Sequence, residues 1–420
     1  MTTEQQLPEG WEYVPFNMFF NVVSISDKKI SQKEYLDNGK YPVIDQGNLF
    51  IGGYSNDESL ILKISSPVIV FGDHTKCFKY VSFPFVAGAD GIKVLEPQNG
   101  IYPKYAYYYC LSIDLTDRGY SRHFAFLKKC QFLIVPIETQ QAIVNKIESL
   151  FDEIDEGIGR LKTAAQQIQQ YRQSLLKNAF NGELTKEWRS KHADTLPSEN
   201  ELLAQIQTAR EQHHAQQLAD WQNITIGEVV TISPKKEKAI DDDTDVSFSS
   251  MHLMSSSLSE HLTYEIKKWA DVKKGFTVFR NNDVLLAKIT PCFENGKSAV
   301  AQDLINGIGT GSTEFMVLRS SNQILPKFLY FLVNTPDFRQ AGIHNMTGSV
   351  GHKRVPKDFV STWAFSLPPL AEQTEIVAIL ESKLNACDQL TAELSKQLKQ
   401  AELLKQAVLK AAFSGSLLDK

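Results

Sequence analysis

The sequence has few cysteines and no long hydrophobic run, and each shortage excludes a class of protein. Its five cysteines are odd in number and include no CxxC pair. This argues against a disulfide framework or a zinc site and favours a reducing compartment. The opening MTTEQQLPEG lacks the basic-then-apolar layout of a signal peptide, and no apolar run approaches the roughly 20 residues that span a bilayer. We therefore expect a cytoplasmic protein without a membrane partner.

An excess of basic residues is also absent. The 44 Lys and Arg residues are outnumbered by 49 Asp and Glu residues, which gives a formal net charge of −5. The surplus of acidic residues lies in the segments that we predict to be helical. The intervening segments are near neutral, with local clusters of bases. Composition therefore permits DNA binding but does not argue for it.

Catalytic and cofactor motifs are missing as well. Gly296-Lys297-Ser298 resembles the end of a phosphate-binding loop, but Pro291 stands where that loop requires glycine. The glycines of Gly307–Gly311 are followed by a strand pattern and not by the helix that would hold phosphates. The sequence has no Asn/Asp-Pro-Pro-aromatic motif of an adenine methyltransferase and no convincing Ser/His/Asp constellation. We expect no catalytic residue, metal site or cofactor site in this chain.

What the sequence does contain is one unit written twice. Residues 136–184 align without a gap on residues 369–417, with 16 identical positions out of 49. Residues 88–109 align on residues 311–332 at a different offset, and a weaker pair, WEYVPF and WQNITI, opens the two halves. Because these blocks occur in the same order in both halves, we interpret the chain as a tandem duplication.

Each half is predicted to be a mixed domain followed by a helix. Apolar or alternating β-rich runs such as PVIVFG and DVLLAKI are bounded by Gly, Pro, Asn and Asp, which is typical of strands. A PK[YF]-x-Y-[YF] segment that follows them indicates a short helix packed on the sheet. The predicted fold class is therefore α+β, with two globular mixed α/β domains alternating with two long helices. The pattern does not reveal the strand order.

Heptad spacing of apolar residues predicts the two long helices. The stretch from Thr139 to Phe180, about 42 residues, would form a rod of roughly 60 Å at ~1.5 Å per residue. Gly157 and Gly159 weaken its middle, so a bend at that point is left open. Two narrow apolar seams bury most simply against one another, which predicts an antiparallel coiled coil and a pseudo-twofold duplication. The seam residues are Ile147, Ile154, Leu161, Ile168 and Leu175 in the first helix and Leu380, Leu394 and Val408 in the second.

These patterns divide the chain into five predicted segments. A capping-box pattern at Ser198 and Glu201 indicates a short helix in the connector between the halves. His213 and His214 in the same connector lack a third ligand and are interpreted as surface residues. The segments are a first domain at 1–136, its helix at 137–184, the connector at 185–220, a second domain at 221–368 and its helix at 369–420.

Basic and polar residues cluster just ahead of each long helix, at matching points of the two copies. Arginine and lysine in glycine-containing loops suit phosphate contacts and can also pair with guanine edges. The alternative is that these are ordinary solvated loops, and the sequence alone leaves both interpretations open. The candidate DNA-binding residues are His74 and Lys76 in a polar loop after the PVIVFG strand, Arg118, Arg122, His123 and Lys128 ahead of the first helix, and Thr347, His352, Lys353, Arg354 and Lys357 ahead of the second.

Several motifs make the chain resemble the specificity subunit of Type I restriction–modification enzymes. They are LPEGW near the start, PIETQQAIV and PLAEQTEIV opening the helices, NGELTKEWR after the first helix, and FENGK and GSTEF in the second domain. The order domain–helix–domain–helix is the architecture of that family, and the resemblance covers essentially the whole chain. The first copy has PIETQ where the second has PLAEQ, a mild departure that leaves the helix start undisturbed.

The resemblance implies a role for each part. Each globular domain would be a target recognition domain that reads one half of an asymmetric, bipartite double-stranded DNA sequence. The paired helices would set the distance between the halves and dock two modification (methyltransferase) subunits. Restriction (translocase and nuclease) subunits would join that assembly in host defence. S-adenosylmethionine, ATP and magnesium would belong to these partners, and this chain would bind no cofactor.

Two other functions were weighed against this one. A helical scaffold that organises protein partners without touching DNA would also account for the long helices. A self-contained methyltransferase or nuclease would require the motifs that are missing. We therefore favour a non-enzymatic DNA-recognition and assembly subunit.

Overall fold

The computed structural model describes residues 10–88, 91–115, 122–192, 221–235, 240–258, 261–349 and 351–418. Arg118 and the predicted connector residues Ser198, Glu201, His213 and His214 lie outside these ranges. The chain divides into two compact units, residues 1–162 with 395–420 and residues 163–394. Each unit holds one globular domain, the start of the long helix that follows it and the final part of the other long helix.

Two main sheets and a two-stranded ribbon build the first domain. The elements are β1 (Glu12–Pro15), α1 (Phe16–Phe19), β2 (Phe20–Val23), β3 (Lys29–Ile30), β4 (Tyr41–Ile44), β5 (Gly53–Ser55), β6 (Ile61–Leu62), β7 (Val68–Gly72), β8 (Phe78–Val81), β9 (Phe85–Gly88), β10 (Ile92–Pro97), α2 (Pro103–Ser112), α3 (Phe124–Leu127), β11 (Gln131–Ile134) and the long helix α4 (Ile137–Phe180), with 3-10 turns at Gln32–Glu34 and Glu58–Leu60. The central sheet is antiparallel, in the order β2-β10-β7-β8. A mixed sheet has the order β3-β9-β4-β5, with β6 also on β9, and β1 pairs with β11.

The second domain repeats this topology, except that its mixed sheet has four described strands where that of the first domain has five. Its elements, after α5 (Lys186–His192), are β12 (Gln222–Thr225), α6 (Ile226–Val229), β13 (Val230–Ile232), β14 (Asp245–Ser249), β15 (Glu265–Lys268), α7 (Trp269–Val272), β16 (Thr277–Arg280), β17 (Val284–Ala287), β18 (Ser298–Val300), β19 (Ile308–Gly311), β20 (Phe315–Ser320), α8 (Pro326–Leu332), α9 (Pro336–His344), α10 (Lys357–Thr362), β21 (Ala364–Leu367) and the long helix α11 (Leu370–Phe413), with 3-10 turns at Met251–Leu253 and Ile305–Gly307. The antiparallel sheet has the order β13-β20-β17-β18, and the mixed sheet β15-β14-β19-β16. The pair β14–β19 is parallel, as is β4–β9 in the first domain.

The continuous apolar run of the PVIVFG strand has a simple cause. Every residue of β7 is buried. Ile69 and Phe71 face one hydrophobic cluster of the first domain, whereas Val68 and Val70 face another. Because successive side chains of a strand point to opposite faces, a strand with a core on both sides is apolar throughout.

The long helices α4 and α11 have 44 residues each, which corresponds to roughly 66 Å at ~1.5 Å per residue. The structure assigns α4 as one unbroken helix through Gly157 and Gly159. Beyond the helix ends, Gly182 and Gly415 adopt left-handed φ angles of 80° and 85°, which suits glycine at helix C-termini.

The two long helices pair in antiparallel fashion within each unit. In the first unit, Lys405 near the end of α11 lies 2.5 Å from Asp155 of α4. In the second unit, Arg172 near the end of α4 forms an ion pair with Asp388 of α11. Asp388 and Arg172 are the duplicates of Asp155 and Lys405 in the 233-residue repeat. The same ion pair therefore occurs in both units, with the roles of α4 and α11 interchanged. The antiparallel pairing confirms the predicted fold class.

The predicted seam residues differ in burial along the helices. Those near the globular domains are fully covered, whereas those in the middle are covered only in part. Ile147, Leu175, Leu380 and Val408 are buried, and Ile154, Leu161, Ile168 and Leu394 are half-buried.

A buried glutamine joins each domain to the long helix that follows it. The Gln140 side chain accepts the backbone N–H of Tyr102 (2.7 Å) and donates to the carbonyls of Gly100 (3.0 Å) and Val135 (2.8 Å). Gln373 makes the same three contacts in the second copy, with Leu325 N (2.8 Å), Gln323 O (2.9 Å) and Pro368 O (2.9 Å). This shared role explains why the glutamine is identical in both copies.

Further contacts bind the helices to the domains. Lys104 of α2 lies 2.6 Å from Glu148 of α4, and the duplicate pair Lys327–Glu381 links α8 to α11. The last residue of each helix packs on the domain of its own unit: Phe413 lies 5.4 Å from the ring of Tyr105, and Phe180 lies 4.9 Å from that of Phe328.

The NGELTKEWR segment adds a buried polar cluster in the second unit. Glu372 at the start of α11 is fully buried. Its carboxylate accepts hydrogen bonds from Thr185 (2.6 Å), Arg189 (2.5 Å) and the indole N–H of Trp221 (2.9 Å). The segment after α4 is thereby tied to both the second domain and α11.

We predict that Gln140→Ala destabilises the first unit. The substitution removes three hydrogen bonds to main-chain groups, of which the Val135 carbonyl is buried, and this loss is expected to cost about 2–4 kcal/mol. Urea unfolding of the full chain measures the effect as a lower transition midpoint. Gln141→Ala is the matched control, because Gln141 is exposed on the same helical turn; equal midpoints for the two variants would contradict the prediction.

Replacing Gly157 and Gly159 by alanine is expected to stabilise the chain. An added Cβ meets nothing within 4 Å at either position, and alanine in a helix interior gains about 1 kcal/mol over glycine. Gly100→Ala is the control, since it also has open space but a φ of +89°. A higher urea midpoint for the two helix variants and a lower one for the control is the expected result; no gain in the helix variants contradicts it.

Candidate nucleic-acid interface

Three segments of the first domain meet at one end of its central sheet. Asp73, directly after β7, donates its backbone N–H to Gly91 O (2.6 Å) beside the start of β10. The Asp73 carbonyl accepts the backbone N–H of His123 (2.9 Å), and its carboxylate accepts that of Phe124 (2.7 Å). A strand-end loop, a strand start and the segment ahead of α3 are thereby tied together. Residues 45–50, 73–76, 91 and 122–129 form what we call the first loop cluster.

The second domain repeats this frame with different residues. Lys288, directly after β17, donates its backbone N–H to Glu314 O (3.0 Å), and its carbonyl accepts the N–H of Val355 (2.8 Å). These two bonds match those of the first domain, so Arg354, which precedes Val355, occupies the place of Arg122. Residues 250–254, 288–297, 312–314, 347–349 and 351–357 form the second loop cluster.

Backbone hydrogen bonds fix the basic segment of the second loop cluster from two sides. Thr347 and Arg354 exchange N–H···O bonds of 3.0 and 2.8 Å, and Thr290 donates its N–H to Lys353 O at 3.0 Å. Gly348 lies in the turn with a φ of +125°, and a Cβ there would lie 2.8 Å from His352 O. The turn therefore requires glycine.

One lysine in each domain holds the loop that follows the parallel strand. Lys79 is buried and donates to the carbonyls of Asp45 (2.8 Å) and Leu49 (2.5 Å). Lys297 of the FENGK motif donates to Met251 O (2.9 Å). Because these ammonium groups are engaged with main-chain oxygens, we assign them a structural role and not a phosphate contact.

Arg339 fixes the turn that contains FENGK. Its buried guanidinium donates to Phe293 O (3.1 Å), Gly296 O (3.2 Å) and Asn334 Oδ1 (2.6 Å). Burial lowers the pKa of Arg339 to about 9, which leaves the group charged at neutral pH. This cation therefore serves the fold.

The residues predicted in the first loop cluster differ in exposure. Arg122 and Lys128 are exposed, whereas His74 and Lys76 are half-buried, and Lys76 adopts a left-handed φ of 59°. His123 is only 1% exposed, and its Nδ1 lies 3.1 Å from the Asp73 carbonyl. A ring so deeply buried is not presented to a duplex, so we remove His123 from the candidate DNA contacts and assign it to loop packing.

Two lysines flank an aromatic ring beside this cluster. Lys128 Nζ lies 4.9 Å and Lys93 Nζ 5.5 Å from the centroid of the Phe124 ring. Such cation–π contacts hold the ammonium groups near one another without neutralising them. Sequence reasoning missed Lys93, because it lies inside a strand pattern and carries no loop signal.

All five residues predicted in the second loop cluster lie on its exposed side. They are Thr347, His352, Lys353, Arg354 and Lys357. Arg354 differs from the others because Glu314 accepts two hydrogen bonds from it, from Nε (2.9 Å) and from Nη2 (2.7 Å). These bonds lower the pKa of the Glu314 carboxyl below its ordinary value. Glu314 was not predicted as a site residue, since it lies 40 positions before Arg354 in a strand motif.

The long helices carry exposed apolar side chains outside the loop clusters. In the second unit, Tyr171 and Leu390 are 46% and 56% exposed and line a groove with Ile168 and Leu394. In the first unit, Leu403 and Leu404 of α11 are also more than half exposed. Contiguous exposed apolar surface commonly marks a protein contact.

The part of the chain that the structure describes holds no group of His, Cys, Asp and Glu side chains arranged for a metal ion. No described helix has the combination of length and apolar character that a membrane crossing requires.

Comparison with known proteins agrees with this geometry. The family model of the Type I restriction modification DNA specificity domain matches residues 8–162 and 219–400, well over half of the chain. The chain belongs to this family. The resemblance predicted from its motifs is therefore confirmed.

Individual relatives match this chain to different extents. The EcoAI specificity subunit of Escherichia coli is 40% identical over 190 residues, which is 45% of this chain and 32% of that protein. This match thus spans about a third of the length of the EcoAI subunit. The StySPI specificity subunit of Salmonella potsdam is 23% identical over 98% of this chain and 90% of its own length.

Solved structures share the fold over nearly the full length. The HsdS subunit from Thermoanaerobacter tengcongensis has a TM-score of 0.51 at 15% identity, covering 98% of this chain and 99% of its own. A chain from a structure on complex assembly and conformational transition of the type I R-M system has a TM-score of 0.68 at 16% identity, with the same coverage. At these identities the likeness concerns the fold.

Proposed function

We propose that this specificity subunit reads an asymmetric, bipartite double-stranded DNA target, with one loop cluster on each half, and has no catalytic activity of its own. The observation that carries the proposal is one hydrogen-bonded frame built twice with unlike side chains. Gly91 occupies in the first frame the position that Glu314, the partner of Arg354, occupies in the second. Two loop clusters with the same hydrogen-bonded frame but different exposed side chains are suited to binding two different DNA sequences.

The cations of the loop clusters fall into two groups. Exposed Arg122, Lys128, Lys353 and Lys357 are suited to phosphate contacts, while buried or hydrogen-bonded cations hold the loops. Among the described residues of the two loop clusters, few cations are left for the phosphates, and the net charge of the chain is −5. Partner subunits that close around the duplex would supply the remaining contacts of basic residues with the phosphates.

The partners that we propose are two modification subunits, one on each equivalent helix surface, and restriction subunits that join through them. The duplicated interhelical ion pairs and the exposed apolar residues of both units support two similar docking sites. S-adenosylmethionine, ATP and magnesium would act in these partners and not in this chain. The assembly would work in the cytoplasm, where five unpaired cysteines are stable.

We expect the complex of this chain with its modification partner to bind its methylation target with a strong salt dependence. Affinity for target and scrambled duplexes is measured by fluorescence anisotropy between about 50 and 200 mM salt. Lys128→Gln and Lys353→Gln should each reduce the slope of log Kd against log salt by about one. Lys33→Gln, an exposed lysine outside both clusters, is the matched control.

The same measurement separates DNA reading from a purely scaffolding role. A complex that forms but binds target and scrambled duplexes equally would contradict the proposal and favour a helical scaffold. Methylation or cleavage by the isolated chain would contradict its non-catalytic role.

We also propose that the paired helices set the spacer between the two half-sites. Shortening either long helix by one heptad should alter the tolerated spacer before it alters either half-site. The variant that tests this proposal best lacks residues 158–164 and 391–397 together, and it keeps the residues of both interhelical ion pairs. About 10 Å is then lost from each helix, equivalent to about three base pairs.

Methylation mapping of a strain that expresses the shortened subunit measures the result. The expected outcome is a shorter spacer between unchanged half-sites. A variant with the same two heptads duplicated should show a longer spacer and serves as the matched control. An unchanged spacer in both variants would refute the ruler model.

A further inference from the structure

The side chain of Arg354 is held in one orientation while part of it stays open. Glu314 takes the N–H of Nε and one N–H of Nη2, at 2.9 and 2.7 Å, and His352 O takes one N–H of Nη1 at 3.3 Å. A guanidinium has five N–H donors, so two are left without a partner among the described residues, one on each terminal nitrogen. The side chain is 46% exposed, which leaves these donors accessible from outside.

The backbone of Arg354 is fixed as firmly as its side chain. Its N–H and carbonyl both pair with Thr347, and the N–H of the next residue, Val355, binds Lys288 O at 2.8 Å. The main chain of Glu314 is part of the same frame through Lys288 N. Glu314 and Arg354 therefore both belong to one rigid loop cluster. Such rigidity is the condition for a pre-organised contact.

The charge of Glu314 makes Arg354 a poor phosphate ligand. Phosphate contacts gain mainly from net positive charge, and a carboxylate within 3 Å cancels most of that charge. Hydrogen bonds to a neutral base edge depend on direction instead. Guanine presents two acceptors side by side, O6 and N7, whereas adenine presents one acceptor beside an amino donor. Two remaining N–H groups on adjacent nitrogens match guanine.

The first loop cluster provides the contrast. Gly91 occupies the position of Glu314, so that position offers no carboxylate to Arg122, the counterpart of Arg354. Among the described residues, no ion pair of Arg122 with an acidic side chain is found. Arg122 thus keeps the full charge that suits a phosphate, and the two equivalent arginines have different uses.

We propose that Arg354 is a specificity-determining residue that reads a guanine through O6 and N7 in the half-site of the second domain, with Glu314 as its positioning residue. This proposal rests on the proposed function, because it assigns one contact within that function. It also names a base for one half-site. The alternative is that the Arg354–Glu314 pair only clips the loops together and contributes nothing to base choice.

The test is selection from a random-sequence duplex pool by the complex of the full chain with its modification subunits. The wild-type complex should enrich a bipartite motif with guanine at one position of one half. Arg354→Lys keeps the charge but loses the paired donors, so its preference for that guanine should fall about tenfold or more. Glu314→Gln should weaken the same preference by a smaller factor, because the guanidinium is no longer held. The other half-site should stay unchanged in both variants.

Lys353→Gln is the matched control for loss of a nearby charge. It should lower affinity for all sequences in the pool and leave the motif intact. Urea midpoints of all variants measure the structural contribution of the pair. If the motif of Arg354→Lys and Glu314→Gln is identical to that of the wild type, the proposal is overturned.

A merely structural clip has its own signature. It would lower the urea midpoint and weaken every position of the half-site together, and that result would also overturn the proposal. A weakened preference at one position, with a midpoint equal to that of Lys353→Gln, would support it. If the wild-type complex enriches no motif at all, the proposed function has failed, which is distinct from failure of the guanine contact.

Discussion

One buried amide at the start of each long helix determines how the domain and the helix meet. Gln140 and Gln373 each bind three main-chain groups from two separate segments of the preceding domain. Because a buried amide is stable only when its donors and acceptor are all paired, the helix can leave the domain in one direction only. The bonds go to main-chain atoms, so side chains elsewhere in the sheets can change without affecting this joint. Two domains with different surfaces can therefore keep the same attachment.

Several cations of the loop clusters stabilise the fold and are therefore not available to bind DNA phosphates. Lys79, Lys297 and Arg339 donate hydrogen bonds to main-chain carbonyl groups of the loops. Arg354 shares its charge with Glu314. A loop cluster held in this way has less charge to offer the phosphates but a better defined surface for base edges. In the proposed function, specificity and affinity would be supplied by different residues, and in part by partner subunits.

The sequence predicted those features that depend on short-range or repeated patterns. The long helices follow from the heptad spacing, and the duplication follows from the identities between residues 136–184 and 369–417. Gln140 and Gln373 are among the identical positions of the repeat, but their role depends on how the preceding domain folds around them. The burial of His123 depends on Asp73, which lies 50 residues earlier. The correspondence of Arg122 and Arg354 departs by one residue from the 233-residue repeat, so only the shared hydrogen-bond frame reveals it.

The composition of the two cores has a consequence for synthesis on the ribosome. The core of the first domain includes Val408, Leu409, Ala412 and Phe413 of α11, which are translated after the whole second domain. The core of the second domain takes Leu175, Leu176 and Ala179 from α4, which are already made when that domain emerges. The domain translated first is thus completed last, and its apolar face must wait for residues that arrive after the second domain. Until the end of α11 is made, the face of the first domain that Val408, Leu409, Ala412 and Phe413 cover lacks these four residues.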